Sequence, residues 1–209
     1  MAEERRAAFR DEEYWGRPVP GFGDPQARLL VLGLAPAAHG GNRTGRVFTG
    51  DRSGDWLYAA LWRAGYANQP TSRHREDGLA LAGCWVSAAV RCAPPANKPS
   101  PLERDTCTPY FEREVALLGE VRVVVALGRF AWDAAWTVLG RTPGAARPGP
   151  RPPFAHLAEA ALPADLGGRP RTLVGSFHPS QQNTFTGRLT EPMFDAVFAR
   201  ARALGGHDA

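Results

Sequence analysis

The chain has 209 residues, enough for one domain with a single sizeable core, and its 25 basic and 21 acidic side chains give a net charge of +4. No apolar run approaches the ~20 residues that a membrane-spanning helix needs, and the charged N-terminus lacks the apolar core of a signal peptide. Three widely spaced cysteines fit a reducing compartment, so we expect one cytoplasmic domain over residues 1–209 whose basic balance permits a nucleic-acid partner.

The chain opens with a charged segment, residues 1–27, for which we predict a helix followed by an ordered arm. Four short apolar runs, each typical of a strand buried on both faces, span residues 28–34, 83–90, 121–127 and 172–176. Segments with helical periodicity or helix-start signals alternate with them, at residues 54–64, 101–118, 129–139 and 191–203. Residues 140–170 are predicted to be irregular, with a short strand or turn near His156.

Strands that alternate with helices predict a parallel sheet covered by helices on its faces. Polar stretches follow three of these strands, at residues 33–51, 92–97 and 178–188. Because the carboxyl ends of parallel strands lie at one edge of a sheet, we expect the stretches to converge on a single site. Each has a plainer explanation when taken alone: Asp51 as a helix cap, Asn97 as a turn residue and His178 as a satisfied loop histidine.

The first of these stretches is rich in glycine. Gly40, Gly41, Gly45 and Gly50 lie within eleven residues and allow positive φ angles and a close approach of the backbone to a ligand. The stretch matches neither the dinucleotide fingerprint nor the phosphate loop that ends in Gly-Lys-Ser/Thr. A nucleotide- or phosphoester-binding α/β protein of another class is therefore an alternative interpretation.

Three segments carry a resemblance to a known family: Gly33–Asp51 (GLAPAAHGGNRTGRVFTGD), Ala89–Pro99 (AVRCAPPANKP) and His178–Thr190 (HPSQQNTFTGRLT). From about Arg6 onward the sequence resembles the family 5 (type B) uracil-DNA glycosylases. The resemblance implies a three-layer α/β/α sandwich with a central four-stranded parallel sheet. It also implies a DNA repair enzyme that hydrolyses the N-glycosidic bond of uracil, and of other deaminated bases such as hypoxanthine or xanthine, in double-stranded DNA.

By motif position the resemblance implies three catalytic residues. Asp51 would act on the sugar cation or the attacking water, Asn97 would assist that water or contact the base, and His178 would bind the departing base oxygen. Phe48 would stack on the extruded base. The other residues expected to contact the base or the DNA are Gly33, Leu34, Ala35, Pro36, Ala37, Gly41, Asn42, Ala88, Ser180, Gln182, Asn183, Phe185 and Arg188.

Two positions depart from better-known members of the superfamily. Ala35 occupies a place that often holds a water-activating Asp, Asn or Glu, and Ala88 occupies the place of a uracil-reading Asn. Without that reader no polar group is left unpaired by a wrong base, so discrimination between bases should weaken. The first departure shifts water activation to Asp51, and it also leaves open a non-catalytic relative that binds damaged DNA.

Members of the family carry a four-cysteine iron–sulfur cluster, and the resemblance assigns two of its ligands to Cys92 and Cys107. The family's upstream Cys-x-x-Cys is absent from this sequence, which starts at about the segment that follows it, so either Met1 is a truncated or misassigned start or the protein lacks the cluster. Two thiolates do not hold a [4Fe–4S] cluster, so we expect no intact cluster and a chemistry that needs no cofactor. Cys84 is expected to be a buried apolar residue. The expected partner is double-stranded DNA with a damaged base, bound by a monomer at the prokaryotic nucleoid, with no membrane involved.

Overall fold

The computed structural model describes residues 5, 7–140, 149–163 and 171–206. Its strands are β1 (Phe22–Gly23), β2 (Leu29–Gly33), β3 (Cys84–Ala88), β4 (Val123–Leu127), β5 (Glu159–Leu162) and β6 (Arg171–Ser176). In this part of the chain they form one sheet of six strands in the order β1-β3-β2-β4-β6-β5. The four inner strands are parallel to one another, whereas β1 and β5 pair antiparallel at the two edges.

The four predicted strands are confirmed as β2, β3, β4 and β6, because long apolar runs are what a doubly covered parallel sheet requires. Every residue of β2 and β4 is buried. The prediction of a four-stranded sheet is incomplete, since β1 and β5 add two strands. β1 has only two residues, and β5 is half-exposed, so neither has an apolar pattern that marks it. β5 begins three residues after His156, where a short strand or turn was expected.

The helices are α1 (Gly41–Thr44), α2 (Arg52–Arg63), α3 (Pro101–Leu117), α4 (Arg129–Leu139), α5 (Gln181–Phe185) and α6 (Glu191–Gly205). The four predicted helices are confirmed as α2, α3, α4 and α6, while α1 and α5 are too short to show helical periodicity. The helix predicted at the N-terminus is wrong for the described residues there, which form a single 3₁₀ turn at Ala7–Phe9. Among the described helices, none is long and apolar enough to cross a membrane.

Two apolar cores lie on opposite faces of the sheet. Leu29 and Val31 of β2 point to the face covered by α2 and α6, whereas Leu30 and Leu32 point to the face covered by α3 and α4. Alternation of side chains along a strand produces this division. The fold is the expected three-layer α/β/α sandwich, and the loops after β2, β3, β4 and β6 open at one edge of it.

Candidate active site

The glycine-rich loop after β2 places an aromatic ring beside a histidine. Phe48 is buried and has a positive φ of 51°, a conformation that bulky residues rarely adopt. Its ring lies against Gly33, where a Cβ atom would come within 2.6 Å of the ring carbons. The ring centroids of Phe48 and His178 are 5.9 Å apart, with 34° between the ring planes. The structure thus brings together two predicted residues from the loops after β2 and β6.

Asp51 lies at the far end of the same loop, as the N-cap of α2. One carboxylate oxygen accepts a hydrogen bond of 3.0 Å from the Gly54 N–H, so the capping interpretation is correct for that oxygen. The second oxygen lies against Gly40, where a Cβ atom would be 2.0 Å from it. Burial raises the pKa of Asp51, and hydrogen bonds from the Gly54 and Ser53 N–H groups oppose that rise. A carboxylate of raised pKa is suited to orienting and activating a water molecule.

His178 follows β6 and is half-buried. Desolvation of its ring lowers its pKa to about 4, so the imidazole is neutral at physiological pH. Its backbone carbonyl accepts a hydrogen bond of 2.9 Å from Asn183 Nδ2, which fixes the chain on either side of the ring. A neutral imidazole retains one N–H that can donate to an acceptor on a ligand.

An open cleft of about 480 Å³ lies beside His178. Its walls are Gly128, Arg129, Phe154, Ala155, Phe177, His178, Asn183 and Arg188. The guanidinium carbon of Arg188 is 4.7 Å from the ring centroid of Phe177, within the range of a cation–π contact. Two residues that were predicted to contact DNA, Asn183 and Arg188, therefore line the same cleft as His178.

The short helix α5 presents an aromatic side chain to solvent. Ser180 caps the helix by accepting a hydrogen bond from the Asn183 N–H. Phe185 is 68% exposed, and the guanidinium carbon of Arg52 lies 5.2 Å from its ring centroid. Because Arg52 directly follows Asp51 in the chain, the loop that carries α5 meets the glycine-rich loop here.

The remaining residues predicted to contact the base lie around this group. Ala88 is buried and pairs with Gly33 across β3 and β2. Asn42 is buried, and its Nδ2 donates to the Ala38 carbonyl at 3.2 Å. The others divide by exposure into half-buried (Leu34, Ala35, Ala37), buried (Pro36, Gly41) and exposed (Gln182) residues.

Asn97 is not among the residues that line the cleft beside His178. It ends a 3₁₀ turn, Pro95–Asn97, with a φ of 55°, and it is exposed. Within the described part of the chain, its N–H donates to the Pro94 carbonyl at 3.2 Å, as expected of a turn residue. A catalytic role for Asn97 stays a prediction.

A buried ion pair that holds the glycine-rich loop was missed from the sequence. Arg46 is 3% exposed, and its guanidinium donates to the two Asp77 carboxylate oxygens at 2.9 and 2.8 Å. It also donates to Thr49 Oγ1 and Ser72 Oγ, at 2.9 Å each, and the Gly50 N–H donates to the Ser72 carbonyl at 3.0 Å. The position of Arg46 in the glycine-rich motif indicated a polar contact at this loop, but nothing in the sequence marks Asp77 as its partner.

Arg43 connects the N-terminal arm to the same loop, a contact that was not predicted from the sequence. Its guanidinium donates to the carbonyls of His39 and Gly50, at 2.8 and 3.2 Å, and it forms an ion pair with Glu12. The positive charge of Arg43 also opposes the rise in the pKa of Asp51. The arm thus stabilises the loop from its outer side.

The family model of the uracil DNA glycosylase superfamily matches residues 20–202. The chain belongs to this superfamily. It is 52% identical over 207 residues to the type-5 uracil-DNA glycosylase of Mycobacterium bovis, and the alignment covers 99% of this chain and 74% of the relative. The type-5 uracil-DNA glycosylase of Thermus thermophilus is 52% identical over 202 residues, with 97% of this chain and 87% of the relative covered. That of Pyrobaculum aerophilum is 44% identical over 198 residues, with 95% of this chain and 81% of the relative covered. The resemblance to family 5 is confirmed.

Cys92 and Cys107, the two cysteines that the resemblance assigns to a cluster, lie after β3 and in α3. Cys92 is exposed and Cys107 half-buried, with the Arg91 N–H donating to Cys107 Sγ at 3.4 Å. Partial burial, and after it the proximity of Cys107, raises the pKa of Cys92. Within the described ranges, no three His, Cys, Asp or Glu side chains are grouped to hold a metal. Two thiols do not fit a [4Fe–4S] cluster. Cys84 is fully buried, as expected.

Proposed function

We propose that this member of the superfamily is an enzyme that hydrolyses the N-glycosidic bond of uracil in DNA and leaves an abasic site. The observation that carries the proposal is the Phe48 ring beside the neutral His178 imidazole, at the open edge of the sheet. The curated relatives, from 44% to 52% identical, are named type-5 uracil-DNA glycosylases. The chemistry is a hydrolysis and requires no cofactor.

The space beside the Phe48 and His178 rings receives a base that has left the stack of the double helix. The Phe48 ring offers a face on which that base stacks, and its contact with Gly33 fixes the ring position. Ala88, which pairs with Gly33 in the sheet, has no polar side-chain atom that could bind a base. The base is therefore bound mainly by stacking, with few hydrogen bonds from side chains.

The bond that breaks joins C1′ of the sugar to N1 of uracil, and the bond that forms joins C1′ to a water oxygen. Negative charge develops on the base, and the His178 N–H donates a hydrogen bond to its carbonyl oxygen, a contribution of several kcal/mol. The Asp51 carboxylate stabilises the cationic sugar and accepts the proton of the attacking water. The uracil anion then takes a proton from solvent.

We extend the proposal to deaminated purines, hypoxanthine and xanthine. A pocket without a side chain that reads the Watson–Crick edge leaves no buried polar group unpaired when the base changes. The buried Ala88 is the feature that supports this broader selection.

The DNA substrate is proposed to be double-stranded, bound by one copy of the chain. The exposed ring of Phe185 fills the gap left by the extruded nucleotide, and Ser180 and Arg188 contact backbone phosphates on either side. Lys98 is the chain's only lysine and is exposed, so base release proceeds by water and not through an amine adduct that would cut the strand.

The test uses duplexes with a single uracil, hypoxanthine or xanthine and an undamaged duplex as control. We expect alkali-labile sites at each lesion, none in the control duplex and no strand cleavage before alkali. Binding to DNA without alkali-labile sites would favour the non-catalytic damage-binding relative. Nucleotide binding without base release would favour an α/β protein of another class.

A further inference from the structure

A second hollow lies on the outer side of the glycine-rich loop and has no part in the proposed reaction. It has a volume of about 550 Å³ and is lined by Glu13, Tyr14, Trp15, Arg17, Arg43, Thr44, Arg75 and Glu76. Thr44 Oγ1 donates to the Thr49 carbonyl at 3.2 Å, and Arg43 donates to the Gly50 carbonyl, also at 3.2 Å. The hollow therefore shares a wall with the loop that carries Asp51.

Trp15 holds two guanidinium groups in this hollow. The guanidinium carbon of Arg17 lies 5.7 Å from the Trp15 ring centroid, and that of Arg75 lies 5.1 Å from it, both within cation–π range. Trp15 itself is fixed, because its backbone N–H donates to the Arg43 carbonyl at 3.0 Å and its Nε1 donates to the Pro18 carbonyl at 3.2 Å. Two cations are thus arranged before any ligand arrives, which reduces the entropy lost on binding.

The charges of these arginines are largely unneutralised. Arg17 is exposed and has no ion pair among the described residues. Arg75 pairs at 3.6 Å with Glu76, and both side chains of this pair are half or more exposed, which makes it weak. Arg73, on the same turn, is also exposed. Glu13 and Glu76 line the same hollow, and their charges oppose the binding of an anion there.

We propose that this hollow binds a backbone phosphate of the DNA strand beside the extruded nucleotide, with Arg17 and Arg75 as the contacts. The inference rests on the proposed function, since DNA must continue past a nucleotide that is drawn into the active site. Planar guanidinium forks match phosphate oxygens. A contact of this kind positions the duplex and reads no sequence.

The test measures the affinity of an undamaged duplex for the full chain at several salt concentrations. R17A/R75A should bind roughly tenfold more weakly, with a salt slope smaller by about 1, because the contact with one phosphate is lost. R17K/R75K should keep the slope of the unchanged chain, and E76Q should bind more tightly because a repelling charge is gone. If Arg75 only stabilised the fold, we would expect neither the retained slope of R17K/R75K nor the tighter binding of E76Q.

The control is R113A/R200A, which removes two exposed arginines from α3 and α6, of which Arg200 pairs with Glu159 at 2.6 Å. The last turn of α3 precedes β4, and the end of α6 lies near the start of β2, where Arg28 donates to the Gly206 carbonyl at 3.2 Å, so both helices end at the edge of the sheet opposite the active site. We expect this variant to bind as the unchanged chain does. An R17A/R75A variant with unaltered affinity and slope, or one no weaker than the control, would overturn the inference.

Failure of this inference can be told apart from failure of the proposed function. Uracil release by the unchanged chain tests the function alone. R17A/R75A should need a higher enzyme concentration than the unchanged chain to reach half of its maximal single-turnover rate of uracil release, whereas R113A/R200A should need the same concentration as the unchanged chain. An unaltered half-saturating concentration for R17A/R75A would overturn the assignment of the hollow to DNA positioning.

Discussion

Burial acts in opposite directions on the pKa values of the two ionisable groups at the site. It raises the pKa of Asp51 and lowers that of His178 to about 4. Both shifts favour the uncharged form, as desolvation always does. The proposed reaction needs a neutral imidazole and an ionised carboxylate, so the working form is populated only above both pKa values.

The first prediction concerns Asp51→Asn. Loss of the carboxylate should slow the release of uracil and of hypoxanthine to a similar degree, because both share the sugar and the water. Since Asn is also a good N-cap and the ionised form of Asp51 is disfavoured by burial, the variant should unfold at a higher temperature. Single-turnover assays and thermal unfolding test both parts. Undiminished base release would return the role in orienting water to Asn97.

The second prediction concerns the pH dependence of uracil release. The rate should rise with pH as Asp51 ionises, and the midpoint should lie above the value of about 4 that is usual for an exposed Asp. The measurement is the single-turnover rate from acid to neutral pH. The rise should persist in His178→Ala and vanish in Asp51→Asn; a rise that survives in Asp51→Asn would assign the titration to another group.

The third prediction concerns His178→Ala. Uracil leaves as an anion, so loss of one donor to the developing charge should slow its release by about 100-fold, which corresponds to about 3 kcal/mol. Hypoxanthine can leave as a protonated, neutral base and should be slowed less. Rates for the two duplexes are compared under single-turnover conditions. Equal losses on both bases would remove His178 from this role.

At the scale of elements, the glycine-rich loop keeps its shape through contacts from outside itself. Arg46 joins it to the turn that carries Asp77, and Arg43 joins it to the N-terminal arm. Burial alone would raise the pKa of Asp77, but hydrogen bonds from the Arg73 N–H and from Arg46 hold it below its usual value. These contacts keep Phe48 in its strained conformation.

The fourth prediction compares a buried ion pair with an exposed one. Asp77→Ala leaves the Arg46 guanidinium buried without its counter-charge and should lower the free energy of unfolding by about 3–5 kcal/mol. Asp195→Ala breaks the half-exposed pair with Arg63 and should cost less than about 1 kcal/mol. Denaturant unfolding measures both. Equal losses would mean that the buried pair contributes no more than a surface pair.

The sequence was informative about elements where burial dictates composition. The inner strands are apolar because helices cover both faces. Pro101 marked the start of α3, where the structure adds a capping box between Ser100 and Glu103. The strands β1 and β5 were missed because edge pairing, not local pattern, creates them. At the site, Asp51, Phe48 and His178 come from motifs that follow strands, whereas Asp77 and Arg46 are 31 residues apart and meet only in the folded chain.

At the scale of the whole molecule, positive charge surrounds the open edge of the sheet. Arg52 contacts the Phe185 ring, and Arg129 and Arg188 line the cleft beside His178. Arg17 lines the second hollow, which adjoins the glycine-rich loop. The position of these arginines therefore says more about where DNA binds than the net charge of +4 does.

The fifth prediction concerns the affinity for duplex DNA as salt rises. Affinity should fall steadily, because each phosphate contact releases condensed counterions. Arg188→Ala should weaken binding to damaged and undamaged duplexes by the same factor, as expected of a backbone contact. Fluorescence anisotropy with both duplexes measures this. A loss confined to the damaged duplex would instead place Arg188 at the base.

The antiparallel edge strands have a consequence for the behaviour of the protein at high concentration. β1 covers the outer edge of β3 through two residues, and Gly23 has a φ of 141° where a Cβ atom would lie 2.3 Å from the Cys84 carbonyl oxygen. A substitution at Gly23 would lift this short strand and leave the hydrogen-bonding groups of β3 uncovered. An uncovered apolar strand is a template for another chain. We therefore expect a protein substituted at Gly23 to aggregate at high concentration, although its proposed catalytic groups are unchanged.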